Sequence, residues 1–497
     1  MRGRGGRWVA LLVAIALASS CTGGGDDDDD AGDDTETPAT DPGASTESDE
    51  PPIEGGRLVV GTDGEPDGFN PTVNRFTVTG LTYANAVFDP LLALDADGEV
   101  VPFLAESITH DDQHLLWTVV LRAGVVFSNG DPLNAGAVVR TFEAHLASDL
   151  TRGELRELES VSARDDRTVE FRMARPWVRF PIQLTGRLGL IAAPAMLDDP
   201  ASRVPIGTGP FVLREWLPGD RMVLARNPTY WRAGLPHLDE VELRPLPDLA
   251  DRVAALARGD VDVITASEPT SVDAIDDLAD IGTATISRGA IREHRLVFNT
   301  AVAPFDELGC RQAVADAVDP DLDLDAPDGD GCDFTYLVGP LPLDAELAET
   351  ARERLEDAGI EMTIEPSARV TVDALLGEFQ AVGLSFDGVV DPDERIVDID
   401  PRTSGPVGAL ARNVSRFDDP DLEAAIAEAR SSGSDDAYEA VDDLVAAALT
   451  SVRLHRSPWA YGFRADLGGV VNGLTLPGDG VARARPGVLL LADLHTT

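Results

Sequence analysis

The sequence predicts an α/β protein built of more than one lobe. Its 497 residues can bury a large core and exceed what one core usually serves. Hydrophobic content of 43% is ordinary for a globular chain. Strand patterns alternate along the chain with helix patterns that end at glycine. One stretch fixes the style of the whole. Residues 206–231, IGTGPFVLREWLPGDRMVLARNPTYW, place Phe211, Leu213 and Trp216 before Pro218-Gly219-Asp220, and Met222, Val223 and Leu224 after it. Proline fixes φ and glycine accepts positive φ, so the spacing predicts a hairpin, closed by Tyr230 and Trp231.

Residues 1–21 read as an export signal: three arginines, an apolar run Trp8–Ala18 too short to stay in a bilayer, small residues, then Cys21. Residues 22–56 hold thirteen acids and no base, and are expected to form an extended acidic tether. A strand follows at 56–62, then a loop at 65–71 containing Phe69. A helix around Tyr83 runs into a strand at Leu91-Leu92. Trp117, Val119 and Leu121 alternate as in a half-buried strand, and a helix is expected from Asn134. Further on, strands are expected at 169–173, 238–244 and 362–364, and helices at 194–197, 251–258, 348–359 and 421–430. Residues 454–463 are expected to cross back to the first lobe.

The net charge is −48 and the chain has no lysine. With three leader arginines and thirteen tether acids set aside, the body still carries −38. Such a surface repels nucleic acid and anionic lipid. The missing lysine removes a Walker-type phosphate loop, a Schiff-base lysine and a Ser-Lys pair. Neither Gly-x-Ser-x-Gly nor His-Glu-x-x-His occurs, so no catalytic residue is assigned and an enzyme is not expected. His110 and His114 sit four apart in a turn-like segment, without a third ligand or a glutamate base. Residues 319–333 have spaced aspartates, but Leu324 stands where a calcium loop needs glycine. No metal or cofactor is therefore assigned. In an oxidising compartment Cys310 and Cys332 would form a disulfide.

Several separated motifs resemble one family in the right order. The 206–231 string is similar to "GTGPY-x-L…W-x-x-G…L-x-R-N-x-x-YW" of the family 5 solute-binding proteins of ABC importers, the peptide- and nickel-binding lipoproteins. LAESITHDDQHLLWTVVLRAGVVFSNGDPLNAGAVVRTF (104–142), RVAALARGDVDV (252–263), and LVFNT with RQAVADAVD (296–300 and 311–319) match further family blocks. Beyond about residue 320 the resemblance thins.

The resemblance implies a two-lobe periplasmic-binding-protein-like fold of class II type with an extra subdomain in the first lobe. Lobe 1 is expected at 57–290, its subdomain at about 86–205, lobe 2 at 291–452, and a return to lobe 1 at 453–497. It implies a lipobox at Cys21, a lipid anchor on the outer face of the cytoplasmic membrane, and a monomer delivering solute to an ABC permease and ATPase. In peptide-binding relatives an aspartate pairs with the peptide's amino terminus; Asp387 is the matching position, with Leu384 where tryptophan is common. Candidate ligand contacts are Asp387, Leu384, Gly383, Phe69, Tyr83, Arg412 and Asn413. The solute is expected to be a peptide or another small molecule. The rival expectations are a degenerate binder, a ligand-sensing receptor domain and a secreted hydrolase.

Overall fold

A computed structural model describes residues 52–496 apart from positions 75, 96, 200–201, 279–280, 323, 325, 327–328, 389–390, 469–473, 476–480 and 484–487. The described residues all fall in one compact unit. Cys21, the signal and nearly all of the acidic tether lie outside the described residues, as does part of the 319–333 loop.

The frame is a ten-stranded mixed sheet. Its strands are β1 (Arg57–Thr62), β2 (Phe211–Leu217), β3 (Arg221–Arg226), β4 (Glu240–Pro245), β5 (Val263–Ala266), β6 (Ile281–Phe298), β7 (Phe334–Val338), β8 (Met362–Pro366), β9 (Ala381–Asp387) and β10 (Ser451–Arg464). They lie in the order β8-β7-β9-β6-β10-β5-β1-β4-β3-β2. β1 pairs in parallel with β4 and β5, and β7 with β8 and β9; the other pairs are antiparallel.

Each half follows from local chemistry. The β2–β3 hairpin turns at Gly219, whose φ of 76° explains the glycine. Between β4 and β5 the helix Leu249–Arg258 starts on Asp248, which accepts from the Asp251 amide, and ends at Gly259 with φ 72°. In the other half, helices Pro342–Asp357 and Val370–Leu376 make the crossovers between β7, β8 and β9. The first begins at Pro342, earlier than Ala348, because proline suits the opening turn. The helix around Tyr83 likewise starts earlier, at Val78, where Thr77 accepts from the Gly80 amide.

Each half has its own apolar core. Leu58, Val60, Tyr83, Phe88, Leu224 and Val241 pack together in one, and Leu296, Phe298, Phe305, Val314 and Tyr336 in the other. A separate core lies under the four-stranded antiparallel sheet of Ala105–His110, Leu116–Leu121, Thr168–Met173 and Leu158–Ala163. Helix Ala135–Ala147, capped by Asn134, covers that sheet. The strands β6 and β10, of 18 and 14 residues, run through both halves of the large sheet.

Cys310 and Cys332 form a disulfide with Cα atoms 5.4 Å apart. His110 and His114 stack at 4.1 Å and rest on Trp117. Among the described residues no cluster of three or more His, Cys, Asp or Glu is placed to hold a metal. Among them, too, no helix is long and apolar enough to cross a membrane.

Candidate functional site

Alternation along β6 and β9 gives each strand two faces with different chemistry. Val297, Leu384 and Phe386 point to one face, where they floor a cavity of about 530 Å³ with Leu375, Val414 and Ile399. The far wall comes from helix Asp435–Ala448, through Asp442 and Val445, and Leu150 reaches in from the separate antiparallel subdomain. The rim is charged but internally matched. Arg295 and Arg456 both pair with Glu293, and Arg395 pairs with Asp442. An apolar floor with a few fixed polar groups is the usual make-up of a small-molecule site.

Although the register turns the Asp387 side chain, like Gly383, to the opposite face of the sheet, three of the expected contacts, Leu384, Asp387 and Arg412, line the cavity. Arg412 is not free within it. Its guanidinium donates to Asp398 and to Glu154, each at 2.9 Å, and these carboxylates outweigh burial to hold it protonated. It joins the cavity wall to the subdomain.

The other expected contacts lie elsewhere. Gly383 faces away from the cavity, and a Cβ there would come 2.6 Å from the Tyr336 hydroxyl oxygen. Phe69 is fully buried edge-on to Trp216, with ring centroids 5.6 Å apart. Tyr83 is also fully buried, its hydroxyl 2.9 Å from that of Thr62. Asn413 is buried and uses its side-chain amide on the carbonyls of Ile399 and Phe417. Packing thus directs these four side chains or backbone sites into cores and turns rather than into the cavity.

Nothing in the sequence pattern points to Arg292. It stands directly opposite Asp387 in the β6–β9 ladder. Its Nε donates to Asp387 at 3.0 Å, and its Nη1 lies 3.4 Å from Asp63, just past the end of β1. Asp393, in the Asp391-Pro392-Asp393 segment, was missed as well. This buried carboxylate accepts from Trp177 and Gln183 of the subdomain and from Arg430 and Tyr438 of the helices behind the cavity. The cavity's outer wall is thereby tied to the subdomain.

The 206–231 stretch serves a different carboxylate. Asp89 is buried, and Thr208, Tyr230 and Trp231 donate to it at 3.2, 3.2 and 2.8 Å. Gly207 and Gly209 allow the close approach: a Cβ on either would fall 2.1 and 2.5 Å from backbone atoms of Val87. The motif therefore fastens the end of helix Val78–Val87 to the β2–β3 hairpin.

Comparison with known proteins gives the same picture. Residues 99–326 match the family described as bacterial extracellular solute-binding proteins, family 5 middle. The nickel-binding periplasmic protein of Escherichia coli strain K12 is 29% identical over 255 residues, 49% of this chain and 48% of its own. Protein XP55 of Streptomyces lividans is 31% identical over 313 residues, 60% of this chain and 55% of its own. The chain thus spans about half the length of the curated relatives it matches. In fold the similarity is wider. The solved structure of the binding protein AgaA with agropinic acid, from "A.tumefacien R10", superposes with a TM-score of 0.76 at 20% identity, over 89% of this chain and 99% of that one. Over residues 99–326 the sequence is thus similar to the family 5 bacterial extracellular solute-binding proteins, and over 89% of the chain the fold is similar to that of a solved binding protein.

Proposed function

We propose that this protein is the capture subunit of an ABC importer, holding a peptide or similar small solute in the cavity beneath β6 and β9. The observation that carries the proposal is the cavity itself. Its apolar floor at Val297, Leu384 and Phe386, under a rim of matched charges, suits a solute with apolar side groups and polar ends. The bound form closes as two lobes, 57–290 with 453–497 and 291–452, which meet along β6 and β10. Closure presents the loaded protein to a membrane permease, while ATP is hydrolysed by another subunit. Cys21 anchors the protein by lipid to the outer face of the cytoplasmic membrane, and the acidic tether holds the body clear of it. The protein acts as a monomer and catalyses no reaction.

A thermal-shift screen of di- to pentapeptides, nickel with and without histidine, and oligosaccharides tests the proposal. A ligand at about one hundred times its Kd stabilises by about 2.7 kcal/mol, which raises the melting temperature visibly. Leu384→Arg places a charge on the apolar floor and should abolish the shift while the protein still melts cooperatively. A shift that survives in that variant, or silence across the panel, overturns the assignment. Fractionation tests the anchor separately: Cys21→Ala should move the protein from the membrane fraction to the soluble one.

A further inference from the structure

Every rim charge of the cavity has a partner, but the partners are unequal in number. The β6–β10 ladder sets Glu293 directly opposite Arg456, and Arg295 follows two positions on along the same face of β6. One oxygen of Glu293 takes Arg295 through Nε at 2.9 Å and Nη2 at 2.8 Å, and the other lies 3.2 Å from Arg456 Nε. One carboxylate thus serves two guanidinium groups, and Arg456 has no other ion pair among the described residues. Arg295 Nη1 also donates to the Ser451 hydroxyl, another lining group, at 2.9 Å. On the far side the charges are equal: Arg395 pairs with Asp442, Arg412 with Asp398, and Glu154 behind Arg412 is met by Arg187. Asp387 is engaged by Arg292 on the opposite face of the sheet. The cavity side therefore carries one positive charge in excess, within a chain of net charge −48. The β6–β9 register places apolar groups beside that charge, with Leu384 opposite Arg295 and Phe386 opposite Glu293.

We infer that the solute is a monoanionic amphiphile, its carboxylate seated against Arg295 and Arg456 at the β10 edge and its apolar body laid over Leu384 and Phe386. The inference rests on the proposal that this cavity captures a solute, and names the class of that solute. Glu293 orients both guanidinium groups but neutralises one charge between them, so a carboxylate arriving there completes the balance. The guanidinium fork of Arg456 presents paired donors that match a carboxylate's two oxygens. A carboxamide in the same place accepts hydrogen bonds without balancing the charge, and an ammonium group meets repulsion. Positive charge focused in a cleft of an acidic protein also draws the anion toward this end.

Three probes of similar size and different charge test this by calorimetric titration: N-acetyl-leucyl-leucine, its carboxyl-terminal amide, and the cationic leucyl-leucinamide. Wild type should bind the acid roughly 5- to 10-fold more tightly than the amide, and the cation most weakly. Glu293→Gln removes the shared carboxylate and should widen the preference for the acid. Arg295→Gln/Arg456→Gln should bring the acid down to the level of the amide; both arginines are partly exposed, so an unchanged cooperative melt checks that the variant folds. Equal affinity for acid and amide, a tighter cation, or an acid preference that survives the double variant overturns the inference while capture by the cavity stands. Binding of none of the three overturns it as well, and silence across the wider solute screen then removes the capture reading beneath it.

Discussion

Replacing Asp89 with asparagine should change how stability depends on pH, in a direction the structure dictates. Burial pushes the Asp89 carboxyl up to about 7, against the opposing pull of Trp231, Arg232, Tyr230 and Thr208. In an unfolded chain the same group titrates near 4. Between those values the folded protein holds a proton that the unfolded chain has released. Stability from this group is therefore complete below about pH 4 and is lost as pH rises through about 7. From about pH 5 to about pH 8 the loss is about 3 kcal/mol, at 1.36 kcal/mol per unit. Asparagine offers one oxygen to Trp231 and an amide to the Tyr230 oxygen, and it does not titrate. Urea denaturation of both proteins, followed by tryptophan fluorescence at several pH values in this range, isolates the difference from all other carboxylates. The asparagine variant should gain on wild type steadily as pH rises. A difference that is flat with pH, or that shrinks, refutes the idea that burial governs Asp89.

Three further outcomes follow from contacts at the joints of the molecule. Gly209→Ala drives a Cβ into the backbone of Val87 and should cost about 1–3 kcal/mol or more in denaturant unfolding. Asp393→Ala strips the carboxylate from the buried Arg430 and from Trp177, Gln183 and Tyr438, and should cost about 3–5 kcal/mol. A loss below about 1 kcal/mol would show that water replaces the carboxylate there. Reduction of the Cys310–Cys332 disulfide frees a loop spanning 22 positions and should lower stability by about 3 kcal/mol, read as the shift in urea midpoint with and without reductant.

Local chemistry was legible in the sequence, and long-range chemistry was not. Pro218-Gly219-Asp220 announced the β2–β3 hairpin, and Gly259 the end of a helix, because turn and cap preferences act within a few residues. The helices Pro420–Ser432 and Asp435–Ala448 were half visible. The first showed its acidic start, while the second was hidden among acidic and alanine-rich text and is set by packing of Tyr438 and Val441 against Ile426. Residues of the 206–231 motif stood out as a string, yet their common partner Asp89 lies well over one hundred positions away. Arg292 is separated from Asp387 by 95 positions and from Asp63 by 229, so no spacing rule could join them. Arg412 reads in the sequence as a free candidate contact because its partner Glu154 lies 258 positions earlier. Phe69 and Tyr83 stand in segments that resemble the family's, while apolar burial decides which way their rings turn.

The β6–β10 pair also has mechanical consequences. The ladder runs from Ile281 opposite Arg464 to Val297 opposite Ser451, but its register slips between Ile286 and Ile291, and again between His294 and Arg295. Extra backbone in one strand of a ladder concentrates twist and bending at that point. The ribbon therefore works as a torsion bar with two soft collars rather than as a free pivot. Resistance to bending at these points would then depend on backbone length at the collars. Trimming the surplus residues between Ile286 and Ile291 would retune the restoring torque without touching a single residue of the cavity lining.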